Sequence, residues 1–255
     1  MVKNPGREPT AQEIAETAES MKVAHKFGPS YHRNKTELHT TPACKSKQCK
    51  DCSDISCPNF SSHQECPPKC RRGCKNQLSR TKPELVPFFI ADTGDRGKGL
   101  FAKTDIPADT RILYYSGEII SQRASKIRWN KYDDKEREQS YYFAAGDFIC
   151  DPRNHGNAGQ YANNSCQPNM VAVQCKIHGK AENYRGIFFD AYRDIEKGEE
   201  LTIKYDFDYD SSVVRECKCG ELNCTKSLNM LPPQPKKRSS KSRSGASEKK
   251  KSKKS

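Results

Sequence analysis

The chain has 255 residues, with 45 Lys and Arg against 32 Asp and Glu, a formal net charge of +13 and an apolar fraction of 33%. Its longest apolar runs span about six residues, far short of the roughly twenty that cross a bilayer, which excludes a membrane-spanning helix. The opening residues carry no apolar stretch of the kind a secretory signal needs, so the chain is expected to stay inside the cell, where thirteen cysteines point to metal.

Taken in chain order, Thr10 and Glu13 form a capping-box pattern ahead of Ile14, Ala18 and Met21, which predicts a short amphipathic helix. Then come Cys44, Cys49, Cys52, Cys57, Cys66, Cys70 and Cys74 in a segment with little apolar content. Tetrahedral zinc takes four ligands, so seven thiolates satisfy two ions only if one sulfur bridges them. A binuclear knot follows, its folding free energy supplied largely by metal, on the order of 10 kcal/mol per site. The alternative, a disulfide-laced loop, needs a secretory route and leaves one thiol over.

From residue 88 the pattern turns to short strands: 100–103, 111–115, 141–149, 171–177, 186–192 and 201–203, separated by Gly, Asp and Pro turns. Val171, Val173, Cys175 and Ile177 alternate as one buried face, and the polar stretch 121–139 is predicted helical, anchored by Ile127 and Trp129. The class is α+β and β-rich, set between two cysteine-rich flanks. The second flank holds Cys217, Cys219 and Cys224, one ligand short of tetrahedral zinc; Cys166 is the candidate for the fourth. Cys150 and Cys175 are expected to be buried, inert thiols. After residue 235 ten Lys or Arg face one acid, Glu248, giving +9 of the total charge in a tail that is expected to be disordered.

These residues resemble the AWS, SET and post-SET arrangement of protein lysine methyltransferases, over roughly 44–228. The resemblance is carried by the seven-cysteine segment, Arg96-Gly97-Lys98-Gly99-Leu100-Phe101-Ala102, Tyr115-Ser116-Gly117-Glu118 and Tyr141-Tyr142-Phe143. It continues through 163–169, through Glu199 to Phe207, and through the Cys-x-Cys-x4-Cys motif at 217–224. It implies a SET domain with a pseudoknot, flanked by zinc-binding segments. The divisions are then 1–40 as an extension with a short helix, 41–87 AWS, 88–210 SET, 211–231 post-SET and 232–255 a basic tail.

The resemblance further implies S-adenosylmethionine as methyl donor, held by Arg96, Gly97, Lys98, Tyr141, Tyr142, Asn163, Asn164 and Lys218. Tyr205 becomes the catalytic tyrosine, Tyr115 and Tyr142 line the lysine channel, and Phe207 sits where product size is set, implying dimethylation or beyond. Three zinc ions are implied, two on the first cysteine group and one on Cys166, Cys217, Cys219 and Cys224. The expected function is methylation of a histone H3 lysine, lysine 36 by analogy, on nucleosomes in the nucleus. The protein is expected to be a monomer with no membrane partner, its tail contacting DNA through released counterions.

The sequence departs from the family pattern at Gln160 and Asn164, where Arg and His are usual, and Asn164 is expected to brace the site less firmly. This motivates an alternative, a catalytically weakened SET-fold chromatin scaffold. A zinc-dependent DNA-binding protein is a third reading. Residues 208–216 are the candidate for a loop that blocks the channel at rest.

Overall fold

The computed structural model describes residues 10–12, 38–80, 86–132, 141–207 and 215–229. Most of the expected N-terminal helix, the basic tail and most of the candidate blocking loop lie outside these residues.

Eight strands form three small antiparallel sheets. Strands β1 (Phe88–Asp92) and β2 (Lys98–Ala102) make a hairpin in which Phe89 faces Phe101, their rings stacked at 5.4 Å. β3 (Arg111–Tyr115), β8 (Arg185–Ala191) and β7 (Met170–Lys176) form the second sheet, with β8 central. β4 (Glu118–Ser121), β6 (Phe148–Asp151) and β5 (Phe143–Ala145) form the third. The predicted strand at 141–149 is therefore two strands, folded back at Gly146, whose φ is +71°. Buried Ile112, Leu113, Phe188, Phe189 and Ile187 fill the main core.

Two sequence expectations are corrected here. Val171 is 43% exposed and Val173 only half-buried, because β7 is an edge strand of its sheet, and only Cys175 and Ile177 of the alternating set are fully buried. Among the described residues two short α-helices are complete, α1 (Pro58–Ser61) and α2 (Gln122–Lys131), and Ala11 and Gln12 are helical. Ser121 caps α2 by accepting the Ala124 N–H. Ile127 is 49% exposed and anchors nothing; α2 is held instead by Arg128, which reaches Glu118 and Asp151 at 2.8 Å each, and by Trp129 packing on Tyr142.

The segment 199–203 pairs on both flanks without becoming a regular strand. On one side Leu201 N–H donates to Leu100 O of β2; on the other, Ile203 N–H donates to Asn163 O, and Ser165 N–H to Ile203 O. These single-residue bridges, Asn164 with Ile203 among them, bring the β1–β2 turn and residues 163–166 to one place.

The cysteine segment joins the sheets through Arg111. This buried guanidinium binds Asp190 at 3.0 and 3.1 Å, donates to Asn76 Oδ1 at 2.9 Å, and lies between the Phe60 and Phe188 rings. Asn76 in turn donates to Cys66 Sγ and to Gln64 O. A buried charge is tolerable only when paired and hydrogen-bonded in this way.

Candidate active site and cysteine clusters

The β1–β2 turn begins at Asp92, whose carboxylate accepts the Gly94 N–H, and closes where Thr93 N–H donates to Gly97 O at 2.7 Å. Gly97 has φ +71° with open space around the position of a Cβ, so its backbone is approachable and a side chain would strain the turn. Gly99 is needed for a different reason: a Cβ there would stand 2.6 Å from Thr93 Cγ2 and 2.8 Å from Glu200 Oε1.

Glu200 then organises the turn. It receives both guanidinium nitrogens of Arg96, at 3.0 and 2.8 Å, and the Asn163 amide at 2.9 Å. The same amide donates to Lys98 O at 3.2 Å. Arg96, Gly97, Lys98 and Asn163 thus form one connected group, and Glu200 was not singled out from the sequence as a site residue.

A cavity of about 480 Å³ has walls that include Tyr115, Tyr141, Tyr142, Tyr205 and Phe207, with Gln160; none of Arg96, Gly97, Lys98 and Asn163 lines it, and Ala162, which does, is the residue before Asn163. The Tyr205 hydroxyl donates to Ala162 O at 2.9 Å, its backbone N–H donates to Asn164 Oδ1 at 2.7 Å, and its ring meets Phe207 edge-on at 5.7 Å. Tyr115 is buried and donates to Tyr141 O at 2.7 Å. Burial raises the pKa of both Tyr205 and Tyr115, helped by neighbouring tyrosines, so both hydroxyls stay protonated at neutral pH. Tyr142 lines the cavity while its hydroxyl faces Tyr132. Lys218 is exposed between two buried cysteines. Sequence reasoning passed over Met170, Tyr192 and Gln174, which also line the cavity. They carry no motif, and only the fold of β7 and β8 brings them there.

The thirteen cysteines form no disulfide. Eleven gather into three quartets: Cys44, Cys49, Cys52 and Cys57; Cys52, Cys66, Cys70 and Cys74; and Cys166, Cys217, Cys219 and Cys224. Within each quartet all sulfurs lie within 4.8 Å of one another. Zinc–sulfur bonds of about 2.3 Å in a tetrahedron require sulfurs about 3.8 Å apart. Cys49 to Cys52 at 3.5 Å, Cys52 to Cys70 at 4.0 Å, and Cys166 to Cys217 and Cys224 at 3.8 and 3.9 Å fit that requirement. Cys52 belongs to two quartets, which identifies the sulfur able to bridge two ions, a point that spacing alone leaves open.

The surroundings suit anionic sulfur. Cys66 receives amide donors from Asn59 and Asn76, Cys44 receives Arg71, and Cys217 receives Asn164 at 3.1 Å. Burial opposes ionisation of Cys166, but Thr225 and the neighbouring cysteines outweigh it and bring the thiol down to about 7. Cys150 and Cys175 are buried away from the quartets; burial raises both thiols, Cys175 to about 11, and keeps them protonated.

Comparison with known proteins agrees with this geometry. The SET domain family model matches residues 97–206. The chain is 34% identical over 176 residues to a histone-lysine N-methyltransferase, H3 lysine-36 specific, of Aspergillus oryzae, covering 68% of this chain and 18% of that protein. The protein of the same name from Mycosarcoma maydis is 36% identical over 183 residues, covering 69% and 18%. Histone-lysine N-methyltransferase mes-4 of Caenorhabditis elegans is 29% identical over 199 residues, covering 74% and 22%. The chain therefore spans about a fifth of the length of these curated relatives. Among solved structures, the methyltransferase domain of human histone-lysine N-methyltransferase SETMAR superposes with a TM-score of 0.61 at 21% identity, covering 88% of this chain and 91% of that one, a likeness of fold.

Proposed function

Because the chain belongs to the SET-domain family, we propose that it is a protein lysine methyltransferase acting on histone H3 in chromatin, with lysine 36 of the nucleosome as its target. The observation that carries this reading is the tyrosine-walled cavity, in which the Tyr205 hydroxyl is held by Ala162 O next to the Asn163 and Gly97 group.

The residues of that group fit the methyl donor. Gly97 and Lys98 would offer backbone, Asn163 and Asn164 side-chain and backbone polar groups, and Arg96, Tyr141, Tyr142 and Lys218 the remaining walls. When bound, S-adenosylmethionine supplies a methyl group made electrophilic by a sulfonium.

The chain's own contribution is to deliver a neutral amine in line with that methyl group. An ε-ammonium with a pKa near 10.4 costs roughly 4 kcal/mol to deprotonate at pH 7.4. An apolar, aromatic channel lowers that cost by disfavouring the charged form. Tyr205 and Tyr115 are protonated and act by orientation, leaving oxygen lone pairs toward the cavity, and not as bases. Their ring faces also favour a cationic methylated product.

Three zinc ions complete the proposal, two on the 44–74 group sharing Cys52 and one on Cys166, Cys217, Cys219 and Cys224. The basic tail is proposed to bind nucleosomal DNA in the nucleus. The test is transfer of labelled methyl from S-adenosylmethionine to nucleosomes carrying wild-type H3 or H3 with lysine 36 replaced. Label on wild-type H3, lost with lysine 36 and lost in Tyr205→Phe, is the expected result. No label on any histone overturns the enzymatic reading.

A further inference from the structure

Asn164 occupies the position where the sequence pattern suggested a loosened brace, and in the structure both ends of its amide are engaged. Residues 162–166 make four contacts that converge on two neighbours. Ala162 O accepts the Tyr205 hydroxyl at 2.9 Å, and Asn164 Oδ1 accepts the Tyr205 N–H at 2.7 Å. Asn164 Nδ2 donates to Cys217 Sγ at 3.1 Å, and Cys166 Sγ lies 3.8 Å from the same sulfur.

The two ends of this amide constrain each other. A backbone N–H demands the oxygen end, which leaves only the NH₂ for the sulfur. Asn164 is 9% exposed, so little water can replace either partner. A sulfur fixed by a dication is a stationary acceptor carrying negative charge, and hydrogen bonds to it become stronger for that reason.

We propose that Asn164 is a positioning residue that couples metal occupancy of the Cys166, Cys217, Cys219 and Cys224 cluster to the placement of Tyr205. With the ion bound, Cys217 holds Nδ2, and the amide holds the Tyr205 backbone while Ala162 holds its hydroxyl. Without it, the four sulfurs share no centre, Cys217 is released from Asn164, and Tyr205 loses one of its two tethers. The role of Tyr205 rests on the methyltransferase reading; the link from Asn164 to the cluster does not.

The test compares the full zinc-loaded chain with Asn164→Asp and Asn164→Ala. Asn164→Asp keeps an oxygen for the Tyr205 N–H but sets a carboxylate against Cys217; Asn164→Ala removes both contacts. Zinc release to a chromogenic chelator is followed alongside steady-state kinetics. Both variants are expected to release one zinc of the three about 10-fold faster or more, the scale of losing a hydrogen-bond partner of a metal ligand. The other two ions leave at the wild-type rate, which also reports that the variants remain folded. Over the same preparations kcat falls about 10-fold or more while KM for both substrates stays within about threefold, the pattern of a contact that matters in the transition state. Unchanged zinc release in both variants overturns the inference. So does an Asn164→Asp protein that sheds zinc quickly yet keeps wild-type kcat. A wild-type chain that transfers no methyl group at all overturns the methyltransferase reading, whereas wild-type turnover with normal zinc release in the variants overturns the Asn164 link alone.

Discussion

The Tyr205 hydroxyl donates a hydrogen bond to the carbonyl oxygen of Ala162, 2.9 Å away. That bond commits the only O–H of the side chain, so under the proposed function the oxygen is left to accept from the substrate amine. Replacing Tyr205 with Phe is therefore expected to lower kcat by roughly 10²–10³-fold, the scale of one lost preorganised polar contact, with little change in KM. Single-turnover methyl transfer checks it; a variant within a few fold of wild type would remove Tyr205 from the chemistry.

In the proposed reaction Phe207 sets the room left beyond the amine. Its ring lies edge-on to Tyr205 at 5.7 Å, and the Arg215 guanidinium covers it at 4.7 Å. A tyrosine in its place adds a hydroxyl, and with it a polar group able to hold water where a second methyl must fit. Phe207→Tyr is expected to shift products from dimethyl toward monomethyl lysine, read by mass spectrometry of reacted H3. An unchanged product ratio would mean that the limit is set elsewhere in the cavity.

How far this site was legible in the sequence depended on how local each constraint is. The cysteine groups could be read because a tetrahedral ion counts its ligands, and the count pointed to Cys166 although Cys217 is 51 residues away. The Gly97 turn and Asn163 were singled out by the family resemblance alone, and the structure joins Asn163 to that turn through Lys98 O and Glu200. Glu200 could not be read, since its partner Arg96 is 104 residues distant and an acidic pair looks like solvated surface. Ile127 misled for a related reason: α2 is fastened by the ion pairs of Arg128, so the apolar residue was left outside. The two contacts of Asn164 were not foreseen because a side-chain amide has two ends, and only the fold shows that both are used.

Arg111 is the point where the cysteine segment and the sheets depend on each other. Arg111→Ala leaves Asp190 without its buried partner, removes the donor to Asn76 and opens space between Phe60 and Phe188. Breaking a buried pair in this way is expected to cost about 3–5 kcal/mol. Denaturant titration followed by far-UV circular dichroism reads the loss. Less than about 1 kcal/mol would mean that water reaches Asp190 and the pair is not an internal one.

Metal removal should act unequally along the chain. The 44–74 group buries Cys49, Cys52, Cys57 and Cys66 with Phe60 but little other apolar surface, so its structure is expected to depend on the proposed ions. The sheets have Phe188, Phe189, Ile112 and Leu113 as a core of their own. Chelation is expected to release three zinc ions and to make amides of 44–80 exchange rapidly with solvent, while β3 and β8 stay protected. Native mass spectrometry and hydrogen exchange test this together; two ions instead of three would mean that Cys52 does not bridge.

Four tyrosines give the protein an alkaline limit. Tyr114 and Tyr184 share a hydroxyl–hydroxyl hydrogen bond of 2.8 Å, and with Tyr115 and Tyr205 they are held above the ordinary value of 10.0, chiefly by burial. The folded chain therefore keeps protons that the unfolded chain gives up above pH 10. The stability from these groups is fully present below that pH and is lost as the pH rises toward the folded-state values, each tyrosine contributing about 1.4 kcal/mol per pH unit. Lys180, which burial holds below its usual pKa, works in the opposite direction, but it is one group against these four and against Tyr141 and Tyr142, which burial also raises. Unfolding free energies are expected to be level in this respect up to pH 9.5 or so and to fall steeply by pH 11. In Tyr114→Phe the slope flattens by the share of one tyrosine, even though the variant is less stable overall. Equal slopes in the two proteins would show that Tyr114 ionises in the folded state as readily as in the unfolded one.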